Sequence, residues 1–160
     1  MENKLGIEEQ RLSIIERKLI NFKLNLLDQS FSFNCIKFDI DYLNSLSIFL
    51  FGDIYSNDEL KMRFNDGKEK SIINEQLNNI NNELLKENIN ANYIVECVIY
   101  IWKLQPYIIG NTRIMVAFLK ILNEIYNLSL NVCINEEIQS SLEIFNKIKT
   151  VNLKRLTRMK

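Results

Sequence analysis

Apolar residues recur along this chain at spacings of three and four far more often than in strict alternation, so the pattern predicts helices almost throughout. Leu12, Ile15, Leu19, Phe22 and Leu26 make such a stripe and predict a core-facing first helix from about Glu8 to Asp28. After the loop QSFSFNCIK, Asp39 or Asp41 can cap a second helix, DYLNSLSIFLFGDIY, which is apolar on most sides and so central. The stretch SNDELKMRFNDGKEKS is the least apolar in the chain, and its Asn65-Asp66-Gly67 is a turn signal that could tip a hairpin. A third helix is expected from about Ser71 to Glu87, with Ile72, Ile73, Leu77, Ile80 and Leu84 on one face and Asn and Glu on the other. The fourth, about Ala91 to Leu104, is apolar nearly all round and predicts burial on every side. Gln105-Pro106 ends it, because a proline disfavours helical geometry in the residue before it. Gly110-Asn111 opens a fifth helix reaching Asn123 or beyond. A sixth, about Asn135 to Lys149, begins with Glu136 and Glu137, where a helix N-terminus favours acids.

Composition narrows the classes. The 160 residues suit one domain spanning 1–160, and 47% hydrophobic with 25% charged residues is the profile of a globular chain rather than a disordered one. Twenty cationic against twenty anionic side chains argue against whole-surface nucleic-acid binding. Only the end is locally basic, at Lys154, Arg155, Arg158 and Lys160, and reads as a solvated helix end. The chain has no histidine, and Cys35, Cys97 and Cys133 are widely spaced, which argues against a zinc site or a histidine-based nucleophile system and for buried thiols in a reducing compartment. The aromatics and methionines, among them Tyr93, Tyr100, Trp102, Met115 and Phe118, fall at helical spacing and read as core. Asp39 and Asp41 read as caps rather than a catalytic carboxylate pair. The start MENKLGIEEQ lacks an apolar signal-peptide core and no apolar window is long enough to span a bilayer, so the expectation is a cytoplasmic protein, with export by another route left open.

The chemistry concentrates between the fourth and fifth helices, in WKLQPYIIGNTRIMVAFL, which holds the only proline. A helix start leaves backbone N–H groups unpaired and partly positive, so it suits an anion. Gly110 permits close backbone approach, Asn111 can cap the turn or bond a phosphate, Thr112 adds a hydroxyl, and Arg113 adds a bidentate donor. Taken by itself, a Gly-Asn pair before a helix is equally an ordinary turn.

This stretch and the order of elements around it resemble the Fic family, whose signature is HPFx(D/E)GNGR or HPFx(D/E)GNTR between two buried helices. Gln105-Pro106-Tyr107-Ile108-Ile109-Gly110-Asn111-Thr112-Arg113 aligns with it. NKLGIEEQRLSIIERKLINFKL is similar to the opening of short members, FDIDYLNSLSIFLFGDIYS to their FD..HLK.IH..LF.DIY.WAG, and NEEIQSSLEIF to their last helix. The resemblance implies an all-α Fic-fold core of about six to eight helices with a short flap or hairpin at about 56–70. It implies kinship with bacterial enzymes that transfer AMP from ATP, with magnesium, to a hydroxyl of a target protein.

The departures decide the functional expectation. Gln105 stands where the family has its histidine base, and an amide has no useful pKa for that work. Ile109 replaces the acid that holds the metal, so no metal ligand is expected there. Val116 falls where many members have a further arginine, and Ser56-Asn57-Asp58 where WAG is usual. Pro106 and Tyr107 keep the loop anchor, and Gly110, Asn111, Thr112 and Arg113 keep the phosphate cradle. The inhibitory string (S/T)xxxE(G/N) is absent, its nearest approach being Ser71 to Glu75 followed by Gln76. The expectation is an impaired AMP-transferase relative with residual nucleotide binding. The alternatives are a regulatory module meeting a protein partner through the polar third helix or the flap, and an active enzyme whose base comes from Asp53 or Glu59.

Overall fold

In a computed structural model that describes residues 2–26, 37–132 and 141–149, the chain is all-helical, and no strand forms among the described residues. Among the described residues six α-helices follow one another: α1 Glu9–Asn25, α2 Ile40–Phe51, α3 Gly67–Leu84, α4 Ala91–Lys103, α5 Asn111–Tyr126 and α6 Ser141–Ile148, with a short 3-10 helix at Asn57–Leu60 after α2. α5 is the hub. Ile114 through Leu119 are buried without a break, enclosed by α2 and α4. α3 packs on α4, α1 on α2, and α6 on the far side of α4, where Trp102 meets Phe145 with ring centres 5.4 Å apart and Lys149 pairs with Glu96.

Local chemistry explains the boundaries. Asp39, not Asp41, starts α2, its carboxylate accepting the Tyr42 N–H at 2.9 Å. Asn90 does the same for α4 by accepting from Tyr93 N at 3.1 Å. α3 begins four residues before the expected Ser71: Lys68, Glu69 and Lys70 are good helix formers, and Lys70 Nζ donates to Asn65 O at the entry. That early start uses up the Asn-Asp-Gly turn, so the hairpin alternative for the flap gives way to the 3-10 helix and an extended run into Gly67. Ser47, buried in α2, pins that 3-10 helix by donating to Leu60 O at 2.8 Å.

Three expectations about burial are corrected. On α1 the core line is Leu12, Ile20 and Leu24, while Phe22 is 59% exposed. α1 packs on α2 through this line, which is rotated from the expected stripe and leaves Phe22 outside. α4 is not enclosed on all sides: Tyr93 and Tyr100 are exposed along one strip, so these two aromatics are not core, whereas Met115 and Phe118 are fully buried and Trp102 half-buried. Cys97 is buried, and desolvation pushes its thiol pKa up, which makes it inert. The expected loop after α1 with Cys35, the expected start of the sixth helix with Cys133, Glu136 and Glu137, and the basic tail lie outside the described residues. No helix among the described residues is long and apolar enough to cross a membrane.

Candidate functional site

The turn between α4 and α5 is built by side chains that fold back on it. Leu104 closes α4, and Gln105 follows at φ 49°, a left-handed backbone that costs a non-glycine residue about 1 kcal/mol or more. The surroundings hold it there. Gln105 N–H donates to Trp102 O at 2.9 Å, its Nε2 donates to the same carbonyl at 2.8 Å, and its Oε1 accepts from Asn111 Nδ2 at 3.2 Å. Both ends of the amide are therefore committed to the turn. Pro106 is buried, and Tyr107, 3% exposed, anchors the loop in the core as its aromatic ring predicts. Its hydroxyl donates to Asn44 Oδ1 at 2.9 Å, and burial pushes its pKa far up, so it stays protonated.

Asn111 performs the first of the two roles foreseen for it. It is buried, its Oδ1 accepting from Tyr107 N at 2.8 Å and its Nδ2 donating to Tyr107 O at 2.8 Å as well as to Gln105. Such an amide shapes the turn rather than meeting a ligand. Thr112 Oγ1 accepts from Trp102 Nε1 at 3.1 Å, tying the start of α5 to α4. Gly110 is at φ 72°, and a Cβ there would lie 2.2 Å from Cζ of the buried Phe51. Two independent constraints, backbone conformation and contact, thus demand glycine.

These residues border a cavity of about 300 Å³, with Phe51, Ile108 and Ile109 as apolar wall and Gln105, Thr112, Arg113 and Glu16 as polar lining. The first hydrogen bond of α5 runs from Ile114 N to Gly110 O, and no side chain caps the helix start. Arg113 is half-buried and has no hydrogen bond or ion pair among the described residues. Desolvation lowers its pKa, while the nearby Glu16 carboxylate acts in the opposite sense and Arg17 adds to the lowering. Glu16 is itself committed, accepting the Tyr55 hydroxyl at 3.0 Å, and burial followed by Glu16 raises that tyrosine to about 12. A guanidinium without a direct counter-ion, beside an open helix start, is suited to an oxyanion.

The structure brings Gln105, Gly110, Asn111, Thr112 and Arg113 around one cavity, with Pro106 and Tyr107 behind them. It does not bring Asp53 or Glu59 there: Asp53 pairs with Lys23 at 2.8 Å, and neither lines the cavity. Val116 is buried in the core, away from the lining. The Ile109 side chain offers no oxygen, and among the described residues lining the cavity Glu16 supplies the single carboxylate. That donor set suits a phosphate and does not make a magnesium site, which needs a cluster of hard oxygens. Sequence reading missed Glu16, Phe51, Asn44 and Arg63. Glu16 lies on the polar side of a helix read only for its apolar stripe, and the other three reach the turn solely through tertiary packing.

Fold and site define an all-helical protein with an anion-compatible pocket at the start of its central helix. Compared with known families, curated proteins and solved structures, the chain matches none.

Proposed function

We propose that this chain is a degenerate relative of the Fic AMP-transferring proteins that retains a phosphate-binding pocket and transfers AMP poorly or not at all. One observation carries the reading: Arg113, half-buried and in no side-chain hydrogen bond or salt bridge among the described residues, opens with the Gly110-led start of α5 onto a cavity of about 300 Å³. The ligand would be the phosphate of a nucleotide such as ATP. The backbone amides at the start of α5 and the Arg113 guanidinium would supply donors, with Gly110 setting the left-handed turn that leads into them.

The same lining argues against efficient chemistry. Gln105 occupies the place of the base with both amide ends hydrogen-bonded, and losing a positioned base costs roughly 10²–10⁴ in rate. Ile109 withholds the metal ligand. Thermal unfolding with ATP, pyrophosphate and chloride tests the pocket. Both phosphates should raise the melting temperature, and Arg113→Ala should abolish the rise while leaving the unliganded protein folded. No rise with any phosphate in the wild type sinks the reading. Labelled ATP should give no robust transfer, and Gln105→His with Ile109→Glu should increase whatever trace exists.

A non-enzymatic interaction module is the second reading. It is favoured by a groove of about 440 Å³ at the α3–α4 junction, where Asn79, Asn82, Asn88 and Asn90 surround Lys86 and Tyr93. A protein partner held there would be insensitive to Arg113→Ala, which separates the two.

A further inference from the structure

One residue that bonds the turn three times comes from neither flanking helix. Arg63 lies in the extended run between the 3-10 helix and α3, more than forty positions before the turn. Its Nε donates to Gln105 O at 2.7 Å, its Nη2 to Leu104 O at 3.2 Å, and its backbone N–H to Pro106 O at 2.9 Å. One residue thus engages three consecutive carbonyls at the end of α4. The guanidinium is backed by the Phe64 ring, 4.5 Å from its centre. The preceding residue is fastened too: Met62 N–H donates to Asn44 Oδ1 at 2.9 Å, the same oxygen that accepts the Tyr107 hydroxyl.

The consequences are geometric and electrostatic. Gln105 is held left-handed before a proline, a conformation that persists only if its surroundings over-determine it. Its own amide contributes two bonds, and Arg63 the rest of the restraint from outside. The carbonyls at a helix C-terminus also carry partial negative charge, which beside an anion pocket would repel the ligand. A guanidinium on two of them offsets that charge. A lysine could supply the charge but not a rigid fork to two acceptors.

We propose that Arg63 is the positioning residue of the anion pocket: it holds the 104–106 carbonyls so that Gln105 and Asn111 shape the turn and the start of α5 stays open. The inference rests on the phosphate-binding reading for its functional consequence, but its structural half can be measured without a ligand.

The test combines amide hydrogen exchange on the full chain with pyrophosphate titration. In Arg63→Ala, the Tyr107 amide, held by Asn111 Oδ1, should exchange about tenfold faster, while that of Ile80 in α3 should not change. Pyrophosphate should bind roughly five- to tenfold more weakly, and Arg63→Lys should recover less than half of that loss on a logarithmic scale. Unchanged exchange at Tyr107, or acceleration at Ile80 to the same degree, overturns the proposal, as does full recovery with lysine. If the wild type binds no pyrophosphate, the phosphate reading fails, and the exchange arm alone still decides whether Arg63 sets the turn.

Discussion

Two turns flank α4, and they are finished in opposite ways. At its start, Asn90 caps the helix with its own side chain, and the carboxylate of Glu83, 5% exposed, accepts the Asn90 N–H at 3.0 Å and Lys86 Nζ at 3.0 Å. Every demand for negative charge there is met by the chain itself. After its end, α5 begins at a glycine that has no side chain to cap with, and an arginine in no salt bridge among the described residues faces a cavity. The first turn is complete, and the second is electrostatically open. That difference, not the mere existence of a helix N-terminus, singles out the Gly110 turn as the place for an external anion.

The comparison can be broken most violently at Gly110. Gly110→Ala places a Cβ against buried Phe51 in a left-handed conformation, and should cost about 2–4 kcal/mol by urea unfolding and remove any response to phosphate. The complete turn should yield less to a single change. Asn90→Ala removes one cap and should cost about 1 kcal/mol, with the pyrophosphate response intact. Loss of that response would show that the two turns are not independent. Glu16→Gln sharpens the contrast from the other side: it removes the one carboxylate on the cavity, keeps an acceptor for Tyr55, and should tighten pyrophosphate roughly threefold in a calorimetric titration.

The smallest effect is one of pH. The Asn90 N–H, and after it Lys86, hold Glu83 below its ordinary 4.5, against the opposing effect of burial. A depressed carboxyl contributes stability that is present above its unfolded pKa and lost as pH falls through the lower folded value. Stability should therefore decline below about pH 4.5, and Glu83→Gln should flatten that part of the profile. An unchanged profile in the variant would mean that Glu83 is not the group responsible.

Much of the frame was readable along the chain. The apolar period located the six helices of the described residues, the cap of α2 was narrowed to Asp39 or Asp41, and Gln105-Pro106 announced where α4 stops. The contiguity of Gln105 through Arg113 also made the site's inner rim visible, because one loop supplies it. Other features were not readable, for definite reasons. The start of α3 depended on whether Asn-Asp-Gly closed a hairpin or opened a helix, and both uses suit those residues. Phe22 and Leu24 are equally apolar, yet only Leu24 faces the core, and apolar character alone does not say which. Tyr93 and Tyr100 share helical spacing with core residues, yet stay 40% and 51% exposed.

Sequence alone determined that this protein is helical, where α4 ends and α5 begins, and that the turn between them carries an arginine but neither a histidine nor an acid. Periodicity, proline and residue chemistry are local properties, so one strand of text suffices to read them. Tertiary structure decided which groups that turn meets: Phe51 filling the space a Cβ would need, Glu16 arriving from α1, Asn44 holding Tyr107, and Arg63 bonding three carbonyls. Each of these lies more than forty residues away along the chain, and only packing brings them to the turn or its cavity.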